Sequence, residues 1–273
     1  MNVWSLVDGV LAEEEASRAG KEKTSWWPSE ALGCRRRSFY EWTLPSSTKK
    51  PMELTGLYRT KTGNLLHEWF FQQVKNSDYF DTIEEEARVF ETEAGLKNPV
   101  SGRIDVLGKK GDRITAIDLK TTFGEGIRKI RMRREIPTHY LGQMMVYLKF
   151  GGVDEVVLAF LGRDDQYRTQ VTLTLREDVL YIDDTRTRLT IEAITDKWKD
   201  VERCIEEDTP PDRDFMAAIR NGEIVYKFQR KNIEYKSDWQ CRYCPFNRLC
   251  YADELAKYKE GVNEEMFVAC PRV

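Results

Sequence analysis

Apolar residues along this chain alternate between helical and strand spacing. From about Leu6 to Ala19, Leu6, Val10 and Leu11 recur on one side of a predicted helix. Pro28-Ser29 opens a second predicted helix, with Ser29 as N-cap, running through Cys34 to about Trp42. A polar loop with Pro45 and Pro51 leads to a third helix, whose apolar residues include Leu57, Leu65, Leu66, Trp69, Phe70 and Val74. The spacing then changes to strands near Ile83–Phe90, Val100–Leu107 and Arg113–Lys120, with Gly108-Lys109-Lys110-Gly111-Asp112 as a hairpin turn. A basic segment and a helix around Gln143 follow. Strands are next expected at Val156–Leu161 and Arg168–Leu175, joined about Gly162-Arg163-Asp164-Asp165. A long helix is predicted from Glu177 to about Glu206, with Leu180, Leu189, Ile194, Trp198 and Val201 in its apolar stripe, ended by Pro210-Pro211. Short helices are expected around Cys241 to Cys250. The order α-β-β-β-α-β-β-α predicts an α/β (α+β) fold with a mixed central sheet flanked by helices.

The candidate chemistry lies on two of the predicted strands. Asp118-Leu119-Lys120 ends the apolar run Ile114-Thr115-Ala116-Ile117, and Asp105 lies upstream in Gly102-Arg103-Ile104-Asp105-Val106. Side chains alternate along a strand, so Asp118 and Lys120 share one face while Ile117 and Leu119 point into the core. Asp105 can meet them from the neighbouring strand. Two carboxylates and an ammonium on one face suit a divalent metal with an activated water, hence phosphodiester hydrolysis. An isolated Asp-x-Lys is common on solvated strands. Here it is accompanied by Gly63-Asn64-Leu65-Leu66-His67 upstream, and by Gln143 and Tyr147 one helical turn apart downstream.

Composition narrows the setting. The chain has 273 residues, 33% of them charged, and a net charge of -3, which fits one elaborated domain of a soluble protein rather than a generally basic nucleic-acid coat. Any DNA contact must come from local patches. No apolar stretch reaches membrane-spanning length, and Met1 to Gly20 carries Glu13-Glu14-Glu15 in place of a signal-peptide core, so a cytoplasmic location is expected. In a reducing compartment, clustered cysteines point to metal rather than disulfides. Cys241, Cys244 and Cys250 form C-x2-C-x5-C, and Cys34 is the natural fourth ligand. Four thiolates suit a [4Fe–4S] cluster, with Zn2+ and unligated thiols as the alternatives. Cys204 reads as a buried thiol, and Cys270 has no evident partner.

With His67, Asp105, Asp118, Lys120, Gln143, Tyr147 and the one-plus-three cysteines in this order, the chain resembles a RecB-like nuclease of the PD-(D/E)XK superfamily. More narrowly, it is similar to the iron–sulfur branch: CRISPR-associated exonucleases, the AddB nuclease domain and viral relatives. Ile104 stands where the superfamily name implies proline. The resemblance implies one restriction-endonuclease-like domain over residues 1–273, whose N-terminal helical part (about 1–55) and C-terminal part (about 208–273) are joined by the cluster. It further implies that His67, Asp105, Asp118 and the Leu119 carbonyl bind Mg2+ or Mn2+. Lys120 would act on the attacking water and the phosphate, and Gln143 and Tyr147 would support the lysine or place DNA. The implied activity is that of a deoxyribonuclease, most simply an exonuclease on single strands or free ends. An endonuclease, a flap-processing enzyme or a non-catalytic DNA-binding subunit are the alternatives. Arg128, Lys129, Arg131, Arg133 and Arg134 read either as a solvated basic loop or as a backbone clamp beside such a centre. Arg35, Arg36 and Arg37 are further candidates for phosphate contact. Trp26 and Trp27 are candidates for stacking on unpaired bases, with core packing for at least one of them. No G-x4-G-K-[ST] loop is present, so translocation would come from a helicase, recombination or CRISPR-adaptation partner. For a viral protein the setting would be the host cytoplasm.

Overall fold

The computed structural model describes residues 2–18, 22–220, 222–230, 233–259 and 267–268, so Cys270 lies outside the described residues. In chain order the elements begin with helices α1 (Val3–Arg18), α2 (Arg35–Thr43) and α3 (Leu54–Lys75). Strands β1 (Thr82–Glu91), β2 (Val100–Lys110) and β3 (Arg113–Thr122) follow, then helices α4 (Gly124–Arg133) and α5 (Thr138–Phe150). Next are β4 (Glu155–Gly162), β5 (Arg168–Arg176), β6 (Val179–Ile182), β7 (Thr185–Thr190) and α6 (Ile191–Glu206). The C-terminal part holds β8 (Ala217–Arg220), β9 (Glu223–Val225), β10 (Lys227–Arg230), β11 (Ile233–Lys236), α7 (Trp239–Arg242), α8 (Asn247–Cys250), α9 (Ala252–Lys259) and β12 (Phe267–Val268). Among the described residues no helix is long and apolar enough to cross a membrane.

The chain divides into two compact units. The first comprises residues 24–32 and 58–199. Its seven-stranded sheet runs β1-β2-β3-β4-β5-β6-β7 in sequence order. Only β3 and β4 are parallel, because α4 and α5 return the chain across the sheet between them; every other neighbour is antiparallel. The sheet is mixed, as the pattern predicts. The core is built from Ile104, Val106, Leu119, Leu158, Phe160 and Leu173 of the sheet, with Met144 and Met145 of α5. On α3 the apolar pattern overstates burial, since Leu65 and Trp69 are 66% and 55% exposed.

Several boundaries differ from the pattern. No helix starts at Ser29. Pro28–Glu30 is a single 3-10 turn capped at Trp27, and α2 begins only after Cys34. Tertiary contacts fix this segment within its own unit: Trp26 is bridged to Val100, and Lys197 donates to the carbonyls of Glu30 and Ala31. A Cβ at Gly142 would lie 3.0 Å from the Leu32 backbone nitrogen, so α5 admits the segment only because position 142 lacks one.

The helix predicted from Glu177 is instead the β6–β7 hairpin followed by α6. Asp183 and Asp184 adopt φ of 45° and 63°, the left-handed pair that closes a two-residue turn, so Leu180 and Leu189 belong to strands. Only Ile194, Trp198 and Val201 of the predicted stripe are buried on α6. The basic segment is helix α4 rather than a loop, with Ile127 and Ile130 buried on its apolar side.

The second unit comprises residues 1–23, 33–57 and 200–273. It contains α1, α2, the β8–β9 and β10–β11 hairpins, and the short helices α7 to α9. The strands between 217 and 236 lie in a region for which the pattern predicts no strand, and the short helices expected around Cys241 to Cys250 are α7 and α8. Ala217, Ile219, Cys241 and Tyr251 form the centre of its apolar core.

Candidate active site

The β2–β3 register pairs Val106 with Ile117, so one step further sets Asp105 against Asp118. The bridged ladder stops before that step. On the other side of β2, the β1 ladder also skips the position opposite Asp105, where Glu86 takes a φ of 53°. Both registers therefore leave out Asp105, which sits between the Glu86 and Asp118 positions. Left-handed backbone at a non-glycine residue is strained and clusters at functional positions.

Asp118 is 1% exposed. Lys120, two residues on and therefore on the same face, places its Nζ 2.8 Å from Asp118 Oδ1 and 3.1 Å from Oδ2. The ammonium also donates to Gln143 Oε1 at 3.1 Å. Gln143 Nε2 donates to the Tyr147 hydroxyl at 2.7 Å, which donates to the Arg103 carbonyl at 2.7 Å. The one-turn spacing of Gln143 and Tyr147 thus serves the lysine: a string of hydrogen bonds from β2 through α5 aims Lys120 at Asp118. Burial alone would lower the lysine pKa, but the Asp118 charge and hydrogen bond outweigh it and raise the value. Lys120 is therefore a fixed cation.

His67 reaches the same place from α3, which passes the end of β3 closely: a Cβ at Gly63 would be 3.7 Å from Thr121 Oγ1. His67 Nδ1 lies 3.6 Å from Asp105 Oδ2, and burial lowers the imidazole pKa, keeping the ring neutral and able to act as a ligand. Burial raises the Asp105 carboxyl to about 7, helped by the neighbouring Asp118 charge. The donor set fits a divalent cation. Asp118 Oδ1 is buried without a hydrogen bond of good geometry despite its ammonium neighbour, and burial beside Asp118 holds the Asp105 carboxyl up, which a bound cation would reverse. Among the described residues, however, no three His, Cys, Asp or Glu groups already converge tightly enough to enclose one ion. Leu119, whose carbonyl the resemblance gives to the metal, is buried and lines the cleft that holds His67 and Lys120.

Sequence spacing does not reveal two residues that line that cleft or the ring that lies against them. Arg59 and Arg163 line it, and their guanidinium groups lie 6.0 and 5.1 Å from the ring centre of Phe123. Arg163 Nε is buried without a hydrogen bond among the described residues. These positions come from α3, the start of α4 and the β4–β5 turn, and only the fold brings them together.

In the second unit, Cys34, Cys241, Cys244 and Cys250 line one small cavity together with Arg36, Arg37, Tyr40 and Tyr251. The sequence-distant Cys34 is thus placed with the other three. Burial pushes the Cys241 and Cys244 thiols up to about 12 and 11, and raises Cys34 as well. Arg36 Nη1 is 3.9 Å from Cys250 Sγ. The guanidinium of Arg35 is engaged by Asp200 at 2.9 Å and Asp214 at 2.8 Å, and therefore does not project as an unengaged phosphate contact. Cys204 is a buried thiol on α6. On α4, Lys129 pairs with Glu125, Arg133 with Glu135 and Arg134 with Asp183, while Arg128 and Arg131 are exposed. Trp26 is fully buried and stacks on Trp198 at 5.5 Å, whereas Trp27 is 44% exposed.

The chain is similar in structure to SSO0001, with a TM-score of 0.53 and 17% identity over 92% of this chain and 96% of that one. An alkaline exonuclease from Laribacter hongkongensis gives a TM-score of 0.43 at 13% identity, covering 72% of this chain and 93% of that one. Its complex with dAMP gives 0.40 at 12% identity, covering 71% and 94%. No curated protein matches the sequence. The family model for the PD-(D/E)XK nuclease superfamily matches residues 11–251, a span that includes the carboxylates, the lysine and all four clustered cysteines. The chain belongs to the PD-(D/E)XK nuclease superfamily.

Proposed function

We propose that this nuclease is a metal-dependent deoxyribonuclease, an exonuclease acting on single strands or DNA ends, with a [4Fe–4S] cluster at the four-cysteine cavity. The observation that carries the catalytic reading is Lys120, held between the buried Asp118 carboxylate and the Gln143–Tyr147 string. A lysine buried and fixed in this way is suited to orienting a water and stabilising charge that develops on phosphate oxygen. Bound Mg2+ or Mn2+ would supply Lewis-acid polarisation and lower the pKa of a water. Asp105, Asp118, His67 and the Leu119 carbonyl are the groups that would hold it, and Arg59 and Arg163 would hold phosphate next to Lys120.

The cluster reading is supported by four cysteines on one cavity with a guanidinium at the sulfur of Cys250. Thiols pushed this far up lose their protons only against strong positive charge, as iron or zinc would provide. A cytoplasmic setting, which keeps thiols reduced, belongs to the same proposal.

The test is end-labelled single- and double-stranded DNA incubated with Mg2+ or Mn2+, comparing the wild type with Asp118→Asn. Wild-type release of short labelled products, abolished in the variant while its fold persists, is the expected result. Undiminished cleavage by Asp118→Asn would overturn the assignment.

A further inference from the structure

Beside the carboxylates, the exposed face of the β1–β2 ribbon carries a sequence of groups that the hydrolytic chemistry does not use. The ladder pairs Phe90 with Ser101 and Arg88 with Arg103, and the next position on that face sets Glu86 opposite Asp105. Moving two residues along a strand advances about 6.6 Å. The face thus runs in even steps from an aromatic ring to a pair of guanidinium groups to the candidate metal ligand. Phe90 is 65% exposed although Val89 beside it is buried, and Trp27, 44% exposed, lines the same groove. Trp27 is turned outward because Trp26 is locked into the core by Val100 and Trp198. Like charges directly across a ladder are destabilising. Glu86 offsets Arg103 at 2.8 Å, but Arg88 has no ion-pair partner among the described residues.

We propose that this groove is the approach path of an unpaired DNA strand. Bases stack on Phe90 and Trp27, and a backbone phosphate lies over Arg88 and Arg103 on the way to Asp105. Stacking on a protruding aromatic ring needs a base whose face is free, so the groove selects single strands over paired duplex. This deepens the nuclease reading and rests on it.

The experiment measures fluorescence anisotropy of labelled oligothymidylate and of a blunt duplex with the full chain, with chelator present so that nothing is cleaved. Phe90→Ala and Trp27→Ala should each weaken single-strand binding about ten-fold and leave duplex binding within about two-fold. Trp27→Phe should keep most of the affinity. Arg88→Gln should lower the salt slope by about one. Phe90 and Arg88 are exposed, so those two variants keep the test decisive even where Trp27→Ala fails to fold. Single-strand affinity unchanged in both, while the wild type still cleaves, overturns the path alone. Equal weakening for duplex and single strand overturns the selectivity. A wild type that neither binds nor cleaves any DNA overturns the nuclease reading and the path together.

Discussion

Replacing Tyr147 with Phe removes a single oxygen from the middle of the string that aims Lys120. The hydroxyl donates to the Arg103 carbonyl and accepts from Gln143 Nε2, both at 2.7 Å, and the residue is 2% exposed. Two half-buried partners each lose a hydrogen bond of about 1–1.5 kcal/mol, so stability should fall by about 2–3 kcal/mol. The effect on the reaction is smaller and indirect. Gln143 is released at its nitrogen end and its oxygen becomes free to leave the ammonium, while Asp118 still holds Lys120 at 2.8 Å. Losing one orienting hydrogen bond of about 1–1.5 kcal/mol corresponds to a drop in kcat of about ten-fold. Tyr147 is a positioning residue, so KM and the affinity for Mn2+ should hold. Single-turnover cleavage of an end-labelled oligonucleotide, calorimetric titration of Mn2+ and a thermal melt separate the three quantities. Gln143→Leu cuts the same string one link nearer the lysine, so the double variant should be no slower than Gln143→Leu alone. Rate effects that multiply, or a kcat for Tyr147→Phe within about two-fold of wild type, would refute the string as the means of aiming the lysine.

Three further outcomes follow from the geometry. Exchanging Arg128 and Arg131 for Gln should weaken DNA binding without altering sequence preference and make the salt dependence shallower by roughly one unit for each phosphate no longer neutralised, as read by anisotropy across a salt series. Cys34→Ala should remove the absorbance near 400 nm that a [4Fe–4S] protein shows after anaerobic purification, and a colourless wild type with stoichiometric zinc would replace the cluster by Zn2+. Burial, and secondarily the Lys120 cation, lowers the His139 pKa from 6.5 to about 4, so the folded chain keeps this ring neutral where the unfolded chain would protonate it. That contribution is fully present above about pH 6.5 and is lost as pH falls toward 4, roughly 2 kcal/mol after allowing for partial exposure; His139→Gln should flatten this limb in pH-dependent melts.

How far the sequence can be read depends on whether a residue's role is local. Asp118 and Lys120 share a face because strand side chains alternate, and Gln143 and Tyr147 share one because a helix turns in under four residues; both relations are visible without a fold. Asp105 is legible because a short hairpin fixes its register against Asp118. The break after Pro28–Glu30 is not, since Lys197 and the bare Cα of Gly142 impose it from far along the chain. The β6–β7 hairpin is hidden because Asp183-Asp184 adopts left-handed backbone without a glycine to mark it, and Leu180 and Leu189 match a helical stripe by coincidence. Arg59, Arg163 and Phe123 carry no spacing signal at all, because three separate elements supply them to one place.

The two candidate centres share an electrostatic feature that local pattern does not show. In each, groups that must be anionic to ligate metal are gathered where burial disfavours charge. Asp105 is pushed up to about 7 in one, and Cys241 and Cys244 to about 12 and 11 in the other. The nearby cations answer this unequally. Lys120 forms its ion pair with the fully buried Asp118, whereas in the cysteine cavity Arg36 reaches a single sulfur, that of Cys250. On the proposed function, a divalent metal at the carboxylates would compete with the Asp105 proton. At the cysteines several protons must leave thiols that burial holds up, so metal binding there would release protons and weaken as pH falls. Acid should therefore strip metal from both centres, through Asp105 at one and through the thiols at the other.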